Sequence, residues 1–149
     1  MTREQFVKLL AETVGLPVDG GKAYAAFTDV RPSSWSAPYI AAAVDAGVIV
    51  PAEFGGSAFL PGQVLTRAEM AVWTARALGL QPNGQARAFA DPAAIRADRG
   101  RIGAAAAAGI VTGTPGNRFA PAGKVTRAEA ALVLNRVLDL PDSHLPDSD

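Results

Sequence analysis

The chain has 149 residues, a net charge of zero and no cysteine, and 49% of its residues are hydrophobic. This length and composition indicate one domain, or a few small repeated units around a shared core, and they exclude a disordered chain. A net charge of zero disfavours a nucleic-acid binder that works through a broad basic surface. No apolar run reaches the ~20 residues that a bilayer-spanning helix needs, so no membrane span is expected. The first residues show no signal-peptide pattern, which fits either a cytoplasmic protein or part of a longer exported chain.

Several short motifs recur at equivalent points of the chain. The tetrapeptide Thr-Arg-Ala-Glu begins at Thr66 and at Thr126, and a variant, Thr-Arg-Glu-Gln, begins at Thr2. Phe-x-Asp occurs at 27–29 and 89–91, and Phe-x-Pro occurs at 59–61 and 119–121. A recurring unit must be identified before a fold is assigned. We therefore interpret the chain as one domain, 1–140, followed by an acidic, proline-containing tail or linker, 141–149; the domain comprises a half-unit, 1–16, and two full units, 27–80 and 89–140.

Each tetrapeptide predicts the start of a long helix. In a capping box, the threonine hydroxyl accepts from the amide three residues on, and the side chain at that third position accepts from the threonine amide. Thr2, Thr66 and Thr126 therefore predict helices at about 3–14, 67–78 and 127–138, in which Glu69 and Glu129 are capping carboxylates first. Helical spacing assigns these residues to the buried faces: Phe6, Leu9, Leu10, Thr13, Val72, Ala75, Ala77, Leu78, Leu132, Leu134, Val137 and Leu138. Trp73, inside the second long helix, is expected in the core.

Two shorter helices are predicted in the first halves of the full units, at 38–46 and 100–108. A glycine follows each of them, Gly47 and Gly109, and glycine readily adopts the left-handed conformation that ends many helices. No segment shows the pattern of a regular strand pair, since the connecting loops are rich in glycine and proline. The expected fold class is all-α.

The order Phe-x-Asp, Trp, Ile-x-x-Ala-x-x-x-Gly-Ile/Val, Phe-x-Pro, Thr-Arg-Ala-Glu resembles the S-layer homology family, over about residues 2–140. The resemblance implies repeated helix-loop-helix units in a pseudo-threefold arrangement around a central three-helix bundle. It also implies grooves between units that bind cell-wall polysaccharide, often one with pyruvate ketals. Such modules anchor exported proteins to the cell wall or S-layer without covalent bonds. The two full units differ at two of these positions. Trp35 of the first unit corresponds to Ala97 of the second, and Pro51 of the first corresponds to Gly113 of the second. The grooves are therefore expected to differ.

The resemblance makes the tetrapeptide arginine a main contact to an anionic polymer: Arg3, Arg67 and Arg127. At the first helical position a cation opposes the helix dipole, so its recurrence calls for a reason. The alternative is that each arginine packs on, or pairs with, an aspartate of a neighbouring unit. If each groove joins one tetrapeptide to the next Phe-x-Asp loop, Arg3 meets Asp29 and Trp35, whereas Arg127 meets no following loop. Arg3 is then expected to matter most for binding, Arg67 less and Arg127 least.

Five further residues are candidates for ligand contact: Asp29, Asp91, Trp35, Gly47 and Gly109. Each has a structural alternative. An aspartate before a turn is commonly a cap, a tryptophan can pack locally instead of stacking on a sugar, and the two glycines serve as helix stops. We regard the stacking and packing interpretations of Trp35 as equally supported.

The sequence does not indicate an enzyme, a metal site or a cofactor. The single histidine, His144, lies in the tail, and neither a catalytic triad spacing nor a zinc, calcium or phosphate-loop pattern is present. The main hypothesis is a polysaccharide-binding anchoring module. The alternative is a structural or protein-interaction module of the same fold that has lost polymer binding. Because the first unit is incomplete, we expect an apolar flank that favours self-association.

Overall fold

The structure is a computed structural model that describes residues 1–18, 27–54, 58–81, 99–111 and 120–140. Its helices are, in chain order, α1 (Arg3–Val14), α2 (Ala37–Asp45), α3 (Arg67–Ala77), α4 (Arg99–Ala107) and α5 (Arg127–Leu138), with a 3-10 turn at Pro51–Phe54. The described residues contain two isolated β-bridges and no sheet. The expected all-α class is confirmed. None of the described helices is long and apolar enough to cross a membrane.

The three long helices begin at the predicted threonines. Thr2 and Thr66 form complete capping boxes, with bonds in both directions. Thr126 accepts from the amide of Glu129, but the Glu129 carboxylate bonds to Arg67 instead of returning to the cap. The third box is therefore one-sided, which sequence alone did not predict.

The short helices begin one residue before the predicted positions, and each ends before its glycine. Gly47 and Gly109 have φ angles of 77° and 75°. This left-handed conformation is unfavourable for residues with a Cβ atom. The prediction that both glycines are helix stops is confirmed.

The helices pack in a regular order. Each of the first two long helices packs along the short helix that follows it, α1 with α2 and α3 with α4, while α1 also contacts α3 and α5. Helix α3 is buried on most of its surface, and Trp73 lies in the core as expected. Its ring stacks at 6.0 Å on Phe59, which belongs to a cluster with Phe27 and Phe54.

Three residues that the spacing assigned to buried faces are exposed instead. Leu9, Leu132 and Leu138 expose 37%, 49% and 58% of their surface. Leu132 and Leu138 lie on α5, where α1 is the packing partner in the described part of the chain. They lie on different sides of the helix: Leu138 lines a pocket beside α1, and Leu132 lines one beside Arg67 and Met70 of α3. The periodicity identified apolar positions, but it could not show which of them another element covers.

Backbone hydrogen bonds join the starts of the long helices in a closed ring. Met1 N donates to Val125 O at 3.2 Å, Val125 N donates to Leu65 O at 2.9 Å, and Leu65 N donates to Met1 O at 2.9 Å. Each of these residues directly precedes a capping threonine, so the repeats meet at equivalent positions. A threefold arrangement of whole units stays a prediction, with which this ring agrees.

Candidate functional site

Arg3 at the start of α1 is tied to the repeat that follows it. Its Nε donates to Glu69 Oε2 at 2.8 Å and its Nη1 donates to Phe59 O at 2.6 Å. The guanidinium also lies over the rings of Phe54 and Phe59. The Arg3 and Glu69 side chains are only 12% and 18% exposed. The first tetrapeptide arginine is thus held by a carboxylate of the next repeat. The alternative derived from the sequence was pairing with an aspartate, but the partner is a glutamate.

Arg67 at the start of α3 repeats this arrangement one unit later. Its Nη1 lies 2.8 Å from Glu129 Oε2. Glu129 occupies the same third position of α5 that Glu69 occupies in α3. Each of these two arginines therefore pairs with the glutamate at the fourth place of the next tetrapeptide, and a ligand anion would have to compete with that glutamate.

Arg127 at the start of α5 differs from the other two arginines. Its side chain is exposed, and it makes no hydrogen bond or ion pair within the described residues. The residue at the third position of the next helix in this order, α1, is Gln5, and Gln5 and Arg127 line the same groove. Because Gln5 is neutral, Arg127 has no anionic partner among the residues that the structure describes.

The groove between α1 and α5, which we call the Arg127 groove, has a volume of about 640 Å³. No aspartate or glutamate is among the described residues that line it, and two of them, Arg127 and Lys8, are cationic. The full lining is Met1, Gln5, Lys8, Leu9, Thr13, Trp35, Arg127, Ala131, Leu134, Asn135 and Leu138. By contrast, the 570 Å³ groove beside Arg3 is lined by two glutamates, Glu53 and Glu69.

Trp35 presents its ring to the Arg127 groove. Its side chain is half exposed, so it is not part of the buried core, and stacking on a sugar stays a prediction. Lys8 Nζ lies 5.9 Å from the Trp35 ring centroid and 5.8 Å from that of Tyr39, and it lies 4.0 Å from Glu12. An ammonium group above an aromatic face, in the same groove as a guanidinium with no partner in the described ranges, suits a saccharide that carries an acidic substituent.

The expected meeting of Arg3 with Asp29 and Trp35 is not what the structure shows. Trp35 lines the groove of Arg127, not the groove of Arg3. Asp29 accepts from Phe59 N and Leu60 N, both at 2.9 Å, and so holds the turn that Arg3 also contacts at Phe59 O. The Asp29 carboxylate therefore acts as a turn cap, which was the structural alternative. Asp91, its counterpart in the next unit, lies outside the described residues.

Sequence reasoning did not single out Lys8 or Gln5. Lys8 lies inside an ordinary amphipathic pattern, and only the fold brings it to Trp35, 27 positions later in the sequence. The sequence did contain a signal for Gln5: it stands at the fourth place of the tetrapeptide, where the other two copies have a glutamate. Its effect on the charge of the groove could not be predicted, because the sequence does not show that an arginine from another repeat lines the same groove. No group of three or more metal-binding side chains is found in the described ranges.

Comparison with known sequences supports the same reading of the repeats. Residues 26–71 and 93–131 match the profile of the S-layer homology domain. The chain is 38% identical over 119 residues to an amylopullulanase of Thermoanaerobacterium thermosulfurigenes, an alignment that covers 76% of the chain and 6% of that protein. It is 33% identical over 145 residues to exoglucanase XynX of Acetivibrio thermocellus, with 93% of the chain and 13% of that protein covered.

An S-layer protein of Bacillus thuringiensis subsp. finitimus is also similar, with 31% identity over 134 residues. That alignment covers 88% of the chain and 16% of the relative. The chain thus spans less than a fifth of each of these three proteins, and it is similar in each case to one small part of a much longer chain.

Proposed function

Because this chain belongs to the S-layer homology domain family, and is therefore a cell-surface anchoring module, we propose that it holds a longer exported protein to the cell wall by binding an anionic polysaccharide. The proposed binding site is the charged end of the Arg127 groove, formed by Arg127, Lys8, Gln5 and Trp35. Pyruvate ketals are the acidic groups that the family resemblance suggests. The module itself is not catalytic, and any enzymatic activity belongs to other parts of the longer protein.

The observation that carries this proposal is the uneven neutralisation of the three tetrapeptide arginines. Arg3 and Arg67 are each paired with a glutamate at 2.8 Å. Arg127 has no such partner among the described residues, and Lys8 adds a second positive charge to its groove. Charge-assisted hydrogen bonds from a free guanidinium to a carboxylate contribute about 1.5–3 kcal/mol, whereas a guanidinium already paired offers much less.

Trp35 supplies the second element of the proposed site. A half-exposed indole gives a sugar ring an apolar face on which to stack, while Gln5 and Asn135 can donate to and accept from its hydroxyls. Charge would then select the acidic residue of the polymer, and stacking would orient it. Both contacts need only one or two sugar units, so a short oligosaccharide is a suitable probe.

The test is a titration of the 149-residue chain with cell-wall oligosaccharides, with and without their acidic substituents. We expect Arg127→Ala and Lys8→Ala each to weaken binding roughly ten- to a hundredfold, and Trp35→Ala about tenfold. Arg31→Ala is the matched control, because it removes the same charge from an exposed position outside the grooves. We also expect the affinity to fall as salt is raised.

Two results would contradict the proposal. One is that Arg127→Ala binds the acidic oligosaccharide as tightly as Arg31→Ala does. The other is that the acidic substituents make no difference to affinity. Either would favour the alternative, a module that keeps the fold for structural or protein contacts and has lost polymer binding.

A further inference from the structure

Trp35 lies between two serines whose hydroxyls are linked to each other and to helix α1. Ser36 Oγ donates to Glu4 Oε2 at 3.3 Å, and the hydroxyl oxygens of Ser34 and Ser36 lie 3.0 Å apart. Because a hydroxyl has only one proton to donate, the Ser34 hydroxyl donates to that of Ser36. Ser34 Oγ in turn accepts from Ser36 N at 3.4 Å. The residues on both sides of Trp35 thus belong to one chain of hydrogen bonds that ends on a carboxylate of α1.

Ser36 stands at the N-cap of α2, but its hydroxyl does not cap that helix. A serine at this position commonly accepts from an amide in the first turn of its own helix. Ser36 is buried, and its hydroxyl bonds to α1 instead. Since a buried hydroxyl without a partner is costly, the bond to Glu4 satisfies this group and ties the start of α2 to the first turn of α1.

Helix α1 reaches Trp35 at a second point, one helical turn further on. Lys8 Nζ lies 5.9 Å from the centroid of the Trp35 ring. Residues four apart lie on the same face of a helix, so Glu4 and Lys8 face the start of α2 together. Glu4 therefore fixes the backbone beside the indole, and Lys8 lies over the ring itself.

The next repeat differs at both of these contacts and at the tryptophan. Helix α3 packs along α4 as α1 packs along α2, and its Ala68 corresponds to Glu4 of α1. Val72 of α3 corresponds to Lys8 of α1. In the same repeat Ala97 takes the place of the tryptophan. The carboxylate, the ammonium group and the indole change together from one repeat to the next, which indicates that they serve one purpose.

We propose that Glu4 is a positioning residue for Trp35, which acts through the Ser36 hydroxyl to hold the indole at the Arg127 groove. Glu4 does not itself line that groove. The benefit to binding rests on the proposed function: a ring that is held in place before the sugar arrives loses less conformational freedom when the sugar stacks on it. The alternative is that the bond between Glu4 and Ser36 only fastens α2 to α1.

The experiment first measures the motion of Trp35 in the free protein. Incorporation of 5-fluorotryptophan labels Trp35 and the buried Trp73, and Trp35→Phe assigns the two fluorine signals. We expect Glu4→Ala and Ser36→Ala each to lower the transverse relaxation rate of the Trp35 fluorine about twofold, because a released ring gains picosecond-to-nanosecond motion. The signal of Trp73 should not change.

Two control variants separate the hydrogen bond from other effects on Trp35. Glu4→Gln keeps an oxygen that can accept from Ser36, so the relaxation rate should stay at the parent value. Ser33→Ala removes an exposed hydroxyl from the same loop, one that makes no hydrogen bond among the described residues, and it should also leave the rate unchanged. If the rates in Glu4→Ala and Ser36→Ala equal that in Ser33→Ala, the proposal is overturned.

Titration with the acidic oligosaccharide then tests what the positioning does for binding. Ser36→Ala changes no charge, and we expect it to weaken binding roughly two- to tenfold. The double variant Trp35→Ala/Ser36→Ala should match Trp35→Ala within about twofold, because effects that pass through one side chain are not additive. A further several-fold loss in the double variant would overturn the proposal. If the parent binds no acidic oligosaccharide, the proposed function fails, while the relaxation rates still decide whether Glu4 positions Trp35.

Discussion

Gln5 lies in the groove of Arg127 at the position from which a glutamate pairs with each of the other two tetrapeptide arginines. The pairs Arg3–Glu69 and Arg67–Glu129 both join the first position of one long helix to the third position of the next. A single amide in place of a carboxylate therefore makes one of the three equivalent sites cationic. If the proposed function is correct, this difference gives the module one preferred site for an acidic ligand instead of three equal ones.

Replacing Gln5 with glutamate should close the third ion pair. We expect Gln5→Glu to weaken binding of an acidic oligosaccharide about tenfold, because Arg127 would gain an internal carboxylate partner. The capping box should persist, since glutamate occupies this position in α3. Calorimetric titration measures the loss, and Gln81→Glu, which makes the same change of charge at an exposed position outside the grooves, is the control. Unchanged affinity in Gln5→Glu would show that Arg127 does not meet the anion.

Arg3 and Arg67 should matter more for stability than for binding. Removal of Arg3 leaves Glu69 without its partner and Phe59 O without its donor, and we expect a loss of about 2 kcal/mol. Arg67→Ala should cost about 1 kcal/mol, because Glu129 is more exposed. Arg127→Ala should change stability by less than about 0.5 kcal/mol. Urea unfolding gives the order directly, and a loss in Arg127→Ala equal to that in Arg3→Ala would contradict it.

Asp29 should act through the turn at Phe59 and Leu60. Leu60 has a φ angle of 58°, a conformation that is unfavourable for a residue with a side chain. Removing the carboxylate in Asp29→Ala leaves two amides without their acceptor, and we expect a loss of about 1–3 kcal/mol. Asp29→Asn keeps one carbonyl oxygen and should lose roughly half as much. If both variants unfold at the parent's urea concentration, the capping role is wrong.

Substitution of Gly47 distinguishes between two roles for this residue, the end of a helix and a contact with ligand. A Cβ atom there would meet no atom within 4 Å, yet the φ angle of 77° would be strained. We therefore expect Gly47→Ala to lose about 1 kcal/mol of stability and to keep its affinity for the oligosaccharide. Lower affinity at unchanged stability would instead support the contact with ligand that the family resemblance suggested.

The local features of this fold could be predicted from the sequence. The capping threonines fixed the starts of α1, α3 and α5 at the observed residues, because capping involves only neighbours in the chain. The glycines marked the ends of the short helices for the same reason. Burial was less predictable. The stripe on α5 resembles that on α3, yet Leu138 is exposed because burial depends on whether another element packs there.

The candidate site could not be predicted in the same way, because it is formed by contacts between residues that lie far apart in the sequence. Arg3 and Arg67 each pair with a glutamate more than sixty positions away, and Trp35 reaches the groove of Arg127 and not that of Arg3. Repeat alignment identified which residues are equivalent, but it did not show which member of one repeat faces which member of the next. The sequence ranks Arg3 first for binding, whereas the proposed site ranks Arg127 first, and titration of the arginine variants decides between the two orders.

The ring formed by Met1, Leu65 and Val125 makes this repeat protein unlike a linear stack. In a solenoid each repeat touches only its neighbours, so an end repeat can detach while the others stay folded. Here the bond from Met1 to Val125 joins residues 124 positions apart. Such distant contacts form late and slowly, since nearly the whole chain must be ordered first. We expect one cooperative unfolding step, so that under a pulling force the anchor would yield as a whole and not one repeat at a time.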